Sequence, residues 1–199
     1  MGASAGLGAL MNDATLQALR EGDATAIDAF CREHAATVLG WTIRLGGPAL
    51  DAEDLAQDVF AVALRRLSTF RGDSKPTTWL YGIARRVIAN ARRKAALRRF
   101  IGLEDHELRD DSPGADDVLE HRRRRRAVQH ALERLATKPR EAVVLVDLEG
   151  RSGAEVATML GVPIGTVYSR LHHGRRALAD ALRTEGIVSQ PPHLVVVKR

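Results

Sequence analysis

Between Asp51 and Leu67 the apolar residues Ala52, Leu55, Ala56, Val59, Phe60, Ala63, Leu64 and Leu67 recur as i, i+3, i+4, i+7. At 3.6 residues per turn this spacing puts all of them on one stripe of a helix, and no strand of period two could bury the same set. Asp51, Glu53, Asp54 and Asp58 crowd the first turns while Arg65 and Arg66 close the last, the order that the helix dipole favours. Such a helix must be covered by other elements. The material for that cover is aliphatic: 45% of the 199 residues are hydrophobic but only 4% aromatic, so the core is built from Ala, Leu and Val, which suits helices better than a sandwich. The expected fold class is all-α.

The rest of the chain separates into segments. Leu16, Leu19, Ile27, Phe30, Val38, Trp41 and Leu45 follow helical spacing, broken near Gly22 and ended by Gly46, Gly47 and Pro48, which predicts a short helix and a longer one. The stretch FRGDSKPT, residues 70–77, reads as a loop, with Thr78 opening a helix through Trp79, Ile83, Val87 and Ile88. From Arg85 to Arg99 there are seven cations and no acid; between Glu104 and Glu120 eight acids face Arg109 alone, around Ser112, Pro113 and Gly114. The latter composition cannot supply a packed core. The predicted organisation is therefore a flexible tail over 1–13, a helical domain over 14–99, an acidic linker over 100–120, a second helical domain over 121–183 and a tail over 184–199. In the second domain Ala127, Val128, Ala131, Leu132 and Leu135 form a helical face after the arginine run Arg122 to Arg126, and a further helix starts around Pro139 and stops near Gly150.

Ser152 and Glu155 have the spacing of a capping box. Val156, Ala157, Met159 and Leu160 supply a buried face, Gly161 a stop, and Val162, Pro163 and Ile164 a tight turn into a second helix that buries Val167, Leu171 and Leu178. Two short helices joined in this way form a helix-turn-helix, whose second helix fits the major groove. Its outward residues Thr166, Tyr168, Ser169, Arg170, His172, His173, Arg175 and Arg176 can bond base edges and phosphates, and no carboxylate precedes Asp180. A solvated basic face is the alternative for the arginines alone; capping box, turn and basic face together favour DNA.

Net charge +5 and a pI near 10.0 suit a polyanionic partner. The lone Cys31 excludes an internal disulfide and is read as a small apolar filler, with a redox sensor as the minor possibility. Seven histidines form no compact metal set, and no phosphate loop, nucleophile elbow or HExxH is present, so no catalytic residue, metal or cofactor is expected. The first residues lack a basic region ahead of an apolar stretch and do not read as a signal peptide; no apolar run is long enough for a membrane span. A cytoplasmic protein is expected.

Two segments carry a family resemblance. VVLVDLEGRSGAEVATMLGVPIGTVYSRLHHGRRAL resembles region 4 of the extracytoplasmic-function (ECF) sigma factors of bacterial RNA polymerase, and DAEDLAQDVFAVALRRLSTFRGDSKPTTWLYGIARRVIANARRK resembles their region 2. They occur in family order, and with flanking helices they cover roughly residues 24–183. The resemblance implies an alternative sigma factor, a non-catalytic subunit that binds core polymerase and directs promoter-specific initiation, here as part of a stress response. Asp51, Glu53, Asp54, Gln57 and Asp58 would contact the clamp helices of the largest polymerase subunit, with Phe60 in the core, while region 4 meets the flap of the second largest. Asp73, Ser74, Lys75 and Thr78 would read an unstacked base of the minus-ten element, with Arg85, Arg86, Asn90, Arg92 and Arg93 along the strand. Trp79 and Tyr81 are candidates for stacking, but Trp79 is placed in the core. Ser152 and the outward residues of the second helix would read the minus-35 element.

The chain departs from the family pattern at Pro76 and Thr77, where an aromatic-basic pair is common, and at Gly82, Tyr168 and His173, which are often basic. These departures bear on promoter sequence. The resemblance further implies that the linker, with Asp110, Asp111, Asp116 and Asp117, threads towards the polymerase active-site channel, and that an anti-sigma factor holds the protein inactive. The rivals are an enzyme and a stand-alone DNA-binding regulator with a ligand-sensing first domain; the acidic helix followed by a basic one fits polymerase and single strands better than a ligand pocket.

Overall fold

The computed structural model describes residues 12–102 and 116–185, with side chains omitted for 116–124. The N-terminal residues before 12, the acidic segment 103–115 and the tail beyond 185 lie outside the described residues, and with them most of the linker and both tails named above. Every regular element among the described residues is helical, and the chain divides into two compact units whose main boundary is Phe100.

The first unit contains α1 (Asp13–Glu21), α2 (Ala24–Gly46), α3 (Ala52–Arg65) and α4 (Pro76–Phe100), with one 3-10 turn over Leu67–Thr69. Local chemistry sets the boundaries. Asn12, Asp23 and Asp51 each accept a first-turn N–H at the heads of α1, α2 and α3, and Gly22 ends α1 in the left-handed conformation at φ 81°. Helices α2, α3 and α4 pack on one another through Val38, Trp41, Val59, Ala63, Leu80, Tyr81 and Ala84, all sealed from solvent. Trp41 and Tyr81 meet edge to face at 5.1 Å at the centre of this core. The Thr42 hydroxyl donates to Ala52 O at 2.8 Å, tying α2 to the head of α3.

Several sequence expectations are corrected here. Helix α4 starts at Pro76, not Thr78: proline has the φ of a helix and no N–H to leave unsatisfied, and Lys75 O accepts from Thr78 N and Trp79 N at 2.9 and 3.2 Å. Tyr81 is sealed in the core and cannot stack on a base, whereas Trp79 is half-buried rather than a core residue. Phe60 is half-buried and Leu64 is 37% exposed, so the apolar stripe of α3 is wider than the face its neighbours cover.

The second unit contains α5 (Asp116–Glu133), α6 (Thr137–Val143) widening into a π turn over Val144–Leu148, α7 (Gly153–Leu160) and α8 (Ile164–Thr184). Helix α5 starts inside the stretch predicted as linker, and Ile164, predicted as turn, opens α8. Helix α8 packs on both α6 and α5. Leu132, Leu135, Val143, Val144, Leu145, Val156, Val167 and Leu171 form the core, while Leu178 is half-buried. Gly174 permits the close approach: a Cβ there would lie 2.6 Å from Val143 Cγ2 and 2.9 Å from Pro139 O. Buried Arg140 donates to Leu135 O at 2.8 Å and also to Glu133 O, satisfying carbonyls at the end of α5.

Candidate nucleic-acid interface

On α3 the predicted polar residues separate into two roles. Asp51 Oδ1 accepts from Glu53 N and Asp54 N at 2.9 and 3.0 Å, so its carboxylate caps the helix. Glu53, Asp54, Gln57 and Asp58 are exposed at the spacing of one helical face and form an acidic patch.

The segment between the 3-10 turn and α4 folds around an open cavity of about 200 Å³ lined by Thr69, Phe70, Arg71, Asp73, Ser74 and Trp79. Phe70 and Trp79 form an aromatic wall, their centroids 4.9 Å apart with ring planes at 33°. The predicted readers Asp73 and Ser74 therefore meet at one site, but Lys75 and Thr78 are absent from its lining. Arg71, Phe70 and Thr69 were not singled out from sequence; an arginine flanked by an aromatic and a glycine-acid pair was the available signal.

From the cavity, Trp79, Gly82, Arg86, Asn90 and Arg93 follow one line along α4 by helical periodicity, and Arg86, Asn90 and Arg93 are exposed. Gly82 leaves this line open, with nothing within 4 Å of where its Cβ would stand. Asn90 Oδ1 accepts from Arg93 Nη2. Arg85 is half-buried off this line. Arg92 points elsewhere: its Nη1 donates to Leu45 O and Gly46 O at 3.2 and 2.9 Å, capping the end of α2.

In the second unit the capping box forms as expected. Glu155 Oε2 accepts from Ser152 N at 3.1 Å and from Ser152 Oγ at 2.9 Å, and Glu155 N donates to Ser152 Oγ at 3.2 Å. The Ser152 side chain is thus engaged in holding α7. Gly161, at φ 64°, turns the chain, and Val162 N donates to Ala157 O at 3.1 Å. Helix α8 opens after Pro163 with no side-chain cap on its first N–H groups, and Ile164 and Gly165 there are exposed. Tyr168, Ser169, His172, His173 and Arg176 are exposed; Thr166 and Arg170 are half-buried. The Tyr168 hydroxyl lies against Gly153, where a Cβ would be 2.9 Å from it, so the ring leans back on the first helix of the motif. Arg175 is held by Asp147 through Nε and Nη2 at 3.0 and 2.6 Å, and this bond raises its pKa further.

Burial also shifts two titratable groups of α2. Burial first, and Asp28 second, push the Cys31 thiol up, which disfavours the thiolate a redox sensor needs. His34 is buried against Phe30, with centroids 4.7 Å apart, and burial lowers its pKa against the opposing pull of Glu33. No helix of the described residues is long and apolar enough to cross a membrane.

One helical unit with an acidic patch, an aromatic-walled cavity and a basic line, joined in sequence to one with a helix-turn-helix, defines a two-domain DNA-directed protein. Comparison with known proteins gives the class a family. The Sigma-70 region 2 family model matches residues 30–98, and the Sigma-70, region 4 model matches 125–178. The chain is 31% identical to the RNA polymerase sigma-H factor of Pseudomonas aeruginosa, the match covering 84% of this chain and 92% of that one. It is 32% identical to the ECF RNA polymerase sigma factor SigL of Mycobacterium tuberculosis, over 83% and 93%. Among solved structures, the sigma factor RpoE of Bartonella quintana, in complex with the anti-sigma factor NepR, is similar with a TM-score of 0.58 and 25% identity over 78% of this chain and 98% of that one. The chain belongs to the ECF sigma factors of the sigma-70 family, and its function is promoter-directed initiation of transcription.

Proposed function

We propose that the two units divide the work of initiation. The α3 patch of Glu53, Asp54, Gln57 and Asp58 docks on the clamp helices of the largest subunit of core RNA polymerase, where acidic side chains opposite a basic coiled coil gain on-rate and specificity. Asp51 shapes that patch by capping the helix. The cavity takes an unstacked base of the non-template minus-ten strand: Asp73 and Ser74 supply polar contacts, Phe70 and Trp79 an aromatic wall, and Arg86, Asn90 and Arg93 hold the strand that follows. Helix α8 enters the major groove at the minus-35 element with Ser169, His172, His173 and Arg176 foremost, its uncapped N-terminus suited to a phosphate.

The observation that carries this reading is the continuity of the aromatic-walled cavity with the basic line on α4, which suits a single strand and not a duplex. The second unit has the opposite design, a protruding polar helix for a groove. The protein contributes no catalytic residue; bond formation belongs to the core enzyme. It acts in the cytoplasm, on the nucleoid, and a protein inhibitor of the anti-sigma class restrains it by covering the polymerase-binding surfaces.

The test is reconstitution. The purified chain mixed with core RNA polymerase and a library of templates carrying randomised minus-35 and minus-ten blocks is expected to give run-off transcripts from a narrow subset, with duplex binding weak in the absence of core. Tight duplex binding by the chain alone, without any initiation when core is added, refutes the proposal in favour of a stand-alone regulator.

A further inference from the structure

We infer that helix α1 is the positioning element of the base cavity, with Arg20 and Leu16 holding segment 70–74 in the shape that receives an unstacked base. The inference rests on the minus-ten reading of that cavity. Arg20 Nε and Nη2 both donate to Phe70 O, at 3.1 and 2.6 Å. Phe70 is 3% exposed and forms one wall of the cavity, tilted against Trp79. A charged donor on a main-chain carbonyl fixes the path of the backbone without depending on which side chain the loop carries.

Leu16 acts two residues further along the loop. Gly72 adopts φ +83°, which favours glycine, and a Cβ on it would lie 2.8 Å from Leu16 Cδ2. The loop backbone thus rests directly on a buried leucine of α1. Helix α1 has nine residues, too few to be stable alone, and its two ends are closed by Asn12 and Gly22. Leu16 and Leu19 anchor it, and Arg20 reaches from it to the loop. It lies ahead of residue 30, where the region 2 match begins.

A loop held at Phe70 and Gly72 presents Asp73, Ser74 and the aromatic wall in one arrangement before DNA arrives, so the entropy of ordering it is not charged to strand opening. Release of Arg20 leaves the α3 patch and the second unit untouched but lets the cavity adopt many shapes. Arg20 is therefore a positioning residue, acting on the base through the loop.

The experiment uses the full chain with core polymerase on a template library randomised across the minus-ten block, each template supplied both as duplex and with that block already opened by mismatch. Transcripts are sequenced, core binding is followed by native gel, and folding by circular dichroism melts. For Arg20→Ala, run-off from duplex is expected to fall about tenfold, equivalent to about 1.4 kcal/mol, with the base preference at one minus-ten position flattened. Yield from opened templates stays within about twofold of wild type, since opening is no longer required. Arg20→Lys keeps one donor and recovers most of the preference, and Leu16→Ala, which reaches the loop from its other contact, moves both readouts as Arg20→Ala does. The inference is overturned if Arg20→Ala keeps the wild-type yield and preference, or if the loss is equal on duplex and opened templates with the preference intact, the pattern of a general fold defect. If the wild-type protein itself has no minus-ten preference, the reading of the cavity fails and the role of α1 with it; a preference that survives Arg20→Ala removes α1 alone.

Discussion

Helices α4 and α8 have the same outline and opposite surroundings. Each is long, starts at or just after a proline and carries arginines on several faces. The head of α4 borders a loop and an open, aromatic-walled cavity, whereas the head of α8 follows a tight turn with no side-chain cap on its first N–H groups. The arginines divide in both cases. Arg92 on α4 caps α2 and Arg175 on α8 pairs with Asp147, while Arg86, Arg93 and Arg176 are exposed. A basic helix therefore carries two populations of cation, one that fixes the fold and one left exposed, and composition cannot tell them apart.

The two helices also differ in what their central glycine does, and this difference supports the largest predicted effect. At Gly174 an added methyl group meets Val143 and the main-chain oxygen of Pro139, and the oxygen cannot yield without moving α6. Gly174→Ala should cost the second unit about 2–3 kcal/mol, seen as an earlier thermal transition of that unit alone. Gly82 on α4 has open space around it, so Gly82→Ala should instead stabilise the first unit by about 1 kcal/mol through helix propensity. Equal effects from the two substitutions would remove the distinction. The same open position permits a gain of function: Gly82→Arg should tighten single-strand binding and steepen its salt dependence by about 0.7 in log–log slope, measured by fluorescence anisotropy.

What was legible in the sequence follows the range of the interactions. The stripe of α3, the Ser152–Glu155 box and the stop at Gly161 were readable because their partners lie within one or two turns. The roles of Arg92, Arg175 and Arg20 were not, since their acceptors are 47, 28 and 50 residues away and leave no spacing in the chain. Pro76 misled for a different reason: threonine caps and proline first turns are both good helix starts, and the sequence offered Thr78 as well. Tyr81 was ambiguous because a hydrophobic period places it inward while its chemistry suits stacking; the packing of Trp41 decides it. The cavity was half legible, through Asp73 and Ser74, because its wall comes from both sides of the loop.

A second pair of substitutions sharpens the division among arginines. Arg176→Ala is expected to lower affinity for minus-35 duplex by about fivefold and to reduce the salt slope by about one. Arg175→Ala and Asp147→Asn should resemble each other, each removing the same partly exposed ion pair at a cost below about 1 kcal/mol, with little change in salt slope. A full unit of slope lost on Arg175→Ala would move that residue into the DNA-contacting group.

The smallest effect tests whether the core of the first unit is as inert as its packing suggests. His34 has its folded pKa held below the ordinary 6.5, mainly by burial, while Glu33 pulls the other way. The neutral ring is therefore favoured in the folded state, and its contribution is present above the unfolded value of 6.5. As pH falls below that value the unfolded chain takes up the proton first, so the contribution is lost on the way down to the folded pKa. The melting temperature of the first unit should decline as pH falls below about 6.5, and His34→Leu should flatten that decline while leaving the second unit unchanged. If the decline persists in His34→Leu, the pH sensitivity of the first unit does not come from its buried histidine.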